Sequence, residues 1–153
     1  MAFNLAGIRK RVLVDKLDDD ELDPEVVDNF INDTLRSIYN QFELPFQEKI
    51  FQGTIPAGST MFRLPSDLAQ LQGQSLGGVP GFYNNKMTWR NFIVRYPDAV
   101  NNEASAPAGW ALYGGNIMLS APTDKDYTMT MFYIKKPKTL VEGTDIPELP
   151  EEF

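Results

Sequence analysis

The sequence predicts an α+β fold: an N-terminal helical hairpin of one short and one longer helix, an antiparallel β-rich region of sandwich type, and an extended C-terminal arm. Three observations predict it. Apolar residues recur every three or four positions up to about Phe42, the period falls towards two from Phe46 onward, and residues 140–153 form an acidic run punctuated by Pro147 and Pro150. At 153 residues and 42% hydrophobic composition, the chain is long enough for one domain with a real core. We divide it into a helical region (1–44), a β-rich region (45–139) and an arm (140–153), all within one structural unit.

Leu5, Ile8, Val12 and Leu13 stand at helical spacing with Asn4 as N-cap, which predicts a short amphipathic helix. The acidic stretch DDDELDP breaks it. Asp23 followed by Pro24 then supplies a capping carboxylate and a proline preset for the first helical position. Val27, Phe30, Ile31, Thr34, Leu35, Ile38 and Phe42 form the stripe of a helix running from Pro24 to about Phe42, and Pro45 ends it.

Beyond it, β-branched and aromatic residues between Gly and Pro breaks predict strands over 48–55, 60–64, 72–76, 88–96, 110–113, 116–121 and 127–135. PAGS (56–59) reads as a turn, and PSDL (65–68) as one helical turn capped by Ser66. In WALYGGNIMLSA, Gly114 and Gly115 supply the positive φ of a two-residue hairpin. The mixed faces of YTMTMFYIKK predict burial on both sides, and the polar stretch between Asp98 and Gly109 reads as an exposed loop.

Composition narrows the chemistry. The chain has no cysteine, hence neither disulfides nor thiolate zinc sites, and no histidine, hence no imidazole base and no Ser-His or Cys-His pair. No apolar run reaches bilayer length and no signal peptide is legible, so a soluble, non-exported protein is expected. The net charge is −7: residues 1–44 carry 5 basic and 10 acidic side chains, residues 45–139 carry 9 and 6, and residues 140–153 carry 0 and 5. That balance opposes wrapping of nucleic acid, which requires clustered Lys and Arg.

Asp18, Asp19, Asp20 and Glu21, followed by Asp23, form the densest carboxylate cluster, so a carboxylate-dependent Mg²⁺ hydrolase is one class to weigh. The spacing lacks the alternating ligands and central glycine of a calcium loop, and a solvated link between helices accounts for it more simply. GQSLGGVPG (73–81) lacks the closing Lys-Ser/Thr of a phosphate loop and reads as a strand connection. The basic runs Arg9–Arg11 and Lys135, Lys136, Lys138 suit an acidic partner surface better than DNA. Aromatics invite a sugar-binding β-sandwich, but most sit in strand patterns and read as core; Trp110 and Tyr113 are singled out for interface duty. No catalytic residue, cofactor or metal site is predicted.

The order of these signals resembles that of head-tail (neck) adaptor proteins of tailed bacteriophages. VVDNFINDTLRSIY is similar to their second helix through Ile31, Asn32, Asp33, Thr34 and Leu35, and IPAGSTMFRLPSDL to their strand, turn and Leu-Pro-x-Asp element. The likeness is strongest from GWALYGGNIMLSAPTDKDY onward, in Trp110, Tyr113, Gly115, Pro122, Asp126, Tyr127, Tyr133, Pro137, Leu140, Leu149 and Pro150. The resemblance implies a structural protein of the virion neck, made in the host cytoplasm. It further implies a homo-oligomeric ring, typically dodecameric, beneath the portal protein and above a tail or nozzle protein, extending a channel through which DNA passes without sequence-specific binding. The alternative is another neck or tail part: a tail hub, a nozzle or a fibre-attachment protein. Asp18, Asp19, Asp20 and Glu21 are then expected at the lumen. Because that family runs on into a further helix after its Leu-Pro segment, residues 140–153 are expected along another chain, with Leu140, Ile146, Leu149, Pro150 and Phe153 as contacts beside Trp110 and Tyr113.

Overall fold

The computed structural model describes residues 4–17, 22–42 and 44–149. They fall into two units, one drawn from Met1–Gln47 with Lys136–Phe153 and the other from Glu48–Lys135. The α+β expectation holds: a helical region is followed by mainly antiparallel sheets.

In the first unit, the Asn4 side chain accepts from the Gly7 N–H at 2.9 Å and starts α1, Leu5–Lys10, which continues as a π-helical segment, Arg11–Leu17. The longer helix α2, Pro24–Gln41, begins as its sequence requires, with Asp23 accepting from the Glu25 N–H and proline in the first turn. Its buried face presents Val27, Ile31 and Leu35, which form one core with Leu5 and Leu140. Phe30 and Phe42, expected in the same stripe, are instead 68% and 54% exposed. A 100° step per residue places Phe30 about 60° beyond Val27, outside the arc that Val27, Ile31 and Leu35 span.

The second unit holds β1 (Glu48–Ile55), β2 (Met61–Arg63), β3 (Leu68–Leu76), β4 (Lys86–Met87), α3 (Trp89–Arg95), β5 (Trp110–Tyr113), β6 (Asn116–Leu119) and β7 (Tyr127–Lys135). One sheet has the order β1-β7-β3 and the other β2-β6-β5-β4. All pairs are antiparallel except β4 with β5. Ile55, Leu76, Met129 and Met131 of the first sheet share one core with Trp110, Ile117 and Leu119 of the second. Gly114 and Gly115, at φ 57° and 76°, make the β5–β6 hairpin, as both central residues of a type I′ turn require.

Several expectations need correction. The strand expected over 88–96 is instead the helix Trp89–Arg95 with its two caps: Thr88 Oγ1 accepts from the Asn91 N–H at 3.3 Å, and spacing 89, 92, 96 turns Trp89, Phe92 and Tyr96 inward while β-branched Ile93 and Val94 stay outside. Helical burial of aromatics here outweighs strand propensity. Strand β3 starts at Leu68 and absorbs two register irregularities, so PSDL is a turn closed by the Leu68 N–H on the Pro65 carbonyl. Along β7, Tyr127, Met129, Met131 and Tyr133 are buried whereas Thr128 and Phe132 are exposed. The strand is bonded on both edges rather than covered on both faces.

Candidate contact surfaces

The first place where distant residues converge is Asn32. Its amide oxygen accepts from the Leu140 N–H at 2.8 Å and its amide nitrogen donates to the Leu140 carbonyl at 3.0 Å and to the Asp28 carbonyl. One buried side chain thus imitates a strand neighbour for Leu140, itself 1% exposed. Asp145 shapes the turn that follows: its carboxylate accepts from the backbone N–H groups of Val141 and Glu142 and from Lys138 Nζ at 2.6 Å. The Lys138 hydrogen bond first, then the two backbone donors, hold its pKa well below the usual carboxylate range.

That turn caps α1. The Leu5 N–H donates to the Asp145 carbonyl at 2.8 Å and the Ala6 N–H to the Gly143 carbonyl at 3.0 Å, while Asn4 takes the Gly7 and Ile8 N–H groups. The Leu5, Ala6 and Gly7 donors, which a helix start leaves without intrahelical partners, are therefore all used, and the Ile8 N–H makes the first intrahelical bond. Arg9 pairs with Asp28 through two parallel hydrogen bonds, and Tyr39 donates its hydroxyl to the Glu148 carbonyl at 3.2 Å. Burial, then the Glu148 charge, pushes the Tyr39 phenol up to about 12.

These placements decide what each predicted contact residue can offer. Leu140 is taken into this chain's own core, and Leu149 packs against it, partly buried. Ile146 is 63% exposed and available to a neighbour. Pro150 and Phe153 lie outside the described residues, as do Asp18, Asp19, Asp20 and Glu21. Trp110 is fully buried, stacks on Phe82 and donates its Nε1–H to the Phe82 carbonyl at 2.8 Å. Tyr113 stands half exposed with its ring stacked on Trp89 at 4.1 Å. The structure thus keeps Ile146 and Tyr113 at the surface and encloses Leu140 and Trp110.

The glycine-rich connection beyond β3 borders an apolar hollow of about 290 Å³ lined by Leu76, Val79, Pro80, Phe82 and Tyr83. The adjoining Gln74 amide is buried without a hydrogen-bond partner. Elsewhere in this unit Asp67 bonds Lys49 and Tyr133, both at 2.8 Å. Burial opposes ionisation of Asp67, but these two hydrogen bonds and the Lys49 charge outweigh it and lower its pKa. Among the described residues no three His, Cys, Asp or Glu side chains are grouped to hold a metal ion. No described helix is long and apolar enough to cross a membrane.

Sequence reasoning missed two exposed apolar faces: Val26 with Phe30 on α2, and Ile93 with Val94 on α3. Val26 falls outside the apolar stripe of its helix, so the α2 face was detectable; the α3 face was hidden by the strand assignment.

Compared with known families, residues 3–153 match the family described as SU10 adaptor protein. No curated protein matches the chain. The match spans nearly the whole sequence, and the chain belongs to this phage adaptor family, which bears out the resemblance to phage head-tail adaptors.

Proposed function

We propose, with membership of the SU10 adaptor protein family as the premise, that this chain is a neck protein that assembles as a ring below the portal, extends the DNA channel and joins capsid to tail. The observation that carries this reading is the family match across residues 3–153. An adaptor role is structural, not catalytic. The helical unit carries 7 basic and 15 acidic side chains, a net −8, and the β-unit 7 and 6, a net +1, so the acidic balance resides in the helical unit. A channel through which DNA slides should repel phosphate rather than hold it, and we assign Asp18, Asp19, Asp20 and Glu21 to that lumen.

Native mass spectrometry of the purified chain, alone and with the virion's portal protein, tests the proposal. A closed ring of defined copy number, alone or on the portal, is expected. A chain that stays monomeric and ignores portal would overturn it. Charge-neutralising Asp18, Asp19, Asp20 and Glu21 together should slow DNA release from otherwise intact particles, and unchanged release would remove the lumen assignment.

A further inference from the structure

On α2, the residues turned away from the core are not uniformly polar. Val26 and Phe30, one turn apart, are 55% and 68% exposed. Asp33, also exposed, lies on the same face, and exposed Glu25 precedes Val26 in the first turn, flanking that face. Among the described residues Asp33 pairs with Arg36 on the same helix, a solvent-exposed ion pair of a type worth little and readily exchanged. The second unit carries a counterpart. On α3, Val94 is 76% exposed and Ile93 43%, with Arg90 one turn before Val94 and Arg95 directly after it.

We infer that the α2 face of one copy docks on the α3 face of the next, forming the head-to-tail subunit contact of the ring; this rests on the ring reading above. Charge selects the occupant. A symmetric contact of α2 with α2 would oppose Glu25 and Asp33 with their own copies, and α3 with α3 would oppose Arg90 and Arg95 with theirs. Only the unlike pairing covers both apolar faces and sets arginine against carboxylate. Every copy carries both faces, so the contact is heterologous and closes into a ring when the rotation between copies completes a circle.

The absence of cysteine makes the test clean. A chain carrying F30C and V94C is exposed to mild oxidant at ring-forming concentration, or with portal, beside chains carrying either substitution alone. The doubly substituted chain is expected to give a ladder extending beyond the dimer. Mixing the two singly substituted chains should stop at one dimer band, and neither should cross-link by itself. Reversing Arg90 and Arg95 to Glu should lower the yield about tenfold, as should reversing Glu25 and Asp33 to Arg, and combining all four should restore it. Disulfides in F30C alone or V94C alone would overturn the inference in favour of a symmetric contact. Rings seen by native mass spectrometry without the F30C–V94C ladder would overturn this contact while leaving the ring intact. Absence of any oligomer, with or without portal, would remove the ring itself and the contact with it.

Discussion

Replacing Asn32 with alanine removes three hydrogen bonds and leaves the N–H and C=O of Leu140 inside the helical unit with no partner. Both atoms belong to a residue that is 1% exposed, so water cannot take the place of the amide. A buried polar group left unsatisfied costs about 1–3 kcal/mol, which for two groups sums to roughly 2–6 kcal/mol. Against the total of about 5–15 kcal/mol typical of a domain, the helical unit should lose a large part of its stability. Asn32→Asp discriminates further: it keeps the acceptor for the Leu140 N–H but sets a carboxylate against the Leu140 carbonyl. It should be at least as damaging as alanine at neutral pH and partly recover as the carboxylate protonates. Urea unfolding followed by far-ultraviolet circular dichroism, with hydrogen exchange at the Leu140 amide, reads both. An alanine variant within about 0.5 kcal/mol of the parent, with Leu140 exchange unaltered, would refute the reasoning.

The Tyr39 and Tyr127 phenols are both pushed up to about 12, Tyr39 mainly by burial and Tyr127 mainly by its hydrogen bond to Asp124. Since both folded-state values lie above the unfolded value near 10, their contribution is complete below pH 10 and is lost as pH rises through 12. In an ultraviolet titration Tyr39 and Tyr127 should be among the tyrosines that ionise late, beside Tyr133, which burial also raises, and Y39F and Y127F should each remove one. Asp145 runs the other way: its depressed pKa contributes stability above the unfolded value near 4, lost as pH falls below that. D145N should therefore be less stable than the parent at pH 7, with the gap narrowing in acid unfolding curves. Trp110→Phe removes the indole N–H that bonds the Phe82 carbonyl and should cost about 0.5–1.5 kcal/mol in the β-unit by near-ultraviolet dichroism. Deleting residues 140–153 removes Leu140 from the helical core and the carbonyls that cap α1, so hydrogen exchange should rise across Leu5–Lys10 while β1–β7 amides stay protected.

What the sequence made legible was local. Asp23-Pro24 marks the start of α2, and alternation with flanking turns places Glu48–Ile55, Trp110–Tyr113 and Tyr127–Lys135 at their observed bounds. Where two local signals compete, one hides the other. Ile93 and Val94 advertise a strand, while the Thr88 cap and the spacing of Trp89, Phe92 and Tyr96 decide for a helix. The placement of residues 140–149 was not legible at all, because the partner that fixes Leu140 is Asn32, 108 positions away. An asparagine in a helical stripe carries no mark of the backbone it will hold. The same distance explains why Leu140 reads as a free contact in sequence and as core in the structure, and why Trp110, beside a hairpin, reads as an interface residue while its indole N–H is spent on Phe82.

That long-range clasp has a physical route. Residues of the helical unit lie on both sides of the β-unit in sequence, so its core closes only when residues near 32 and 140 meet. In an open chain this closes a loop spanning 108 positions. The β-unit shortens it. Pairing of β1 with β7 sets Glu48 opposite Ile134, so the chain enters and leaves that unit side by side. The path from Asn32 to Leu140 through this pair is then only about 22 residues, and the closure entropy falls by roughly 1.4 kcal/mol on logarithmic loop scaling. The six-residue α1, too short to persist alone, gains its caps from the turn at Gly143 and Asp145 once that closure is made. Formation of the β-unit is thus favoured to precede closure of the helical core, and the exposed α2 face becomes a rigid docking surface only after the Asn32–Leu140 clasp has formed.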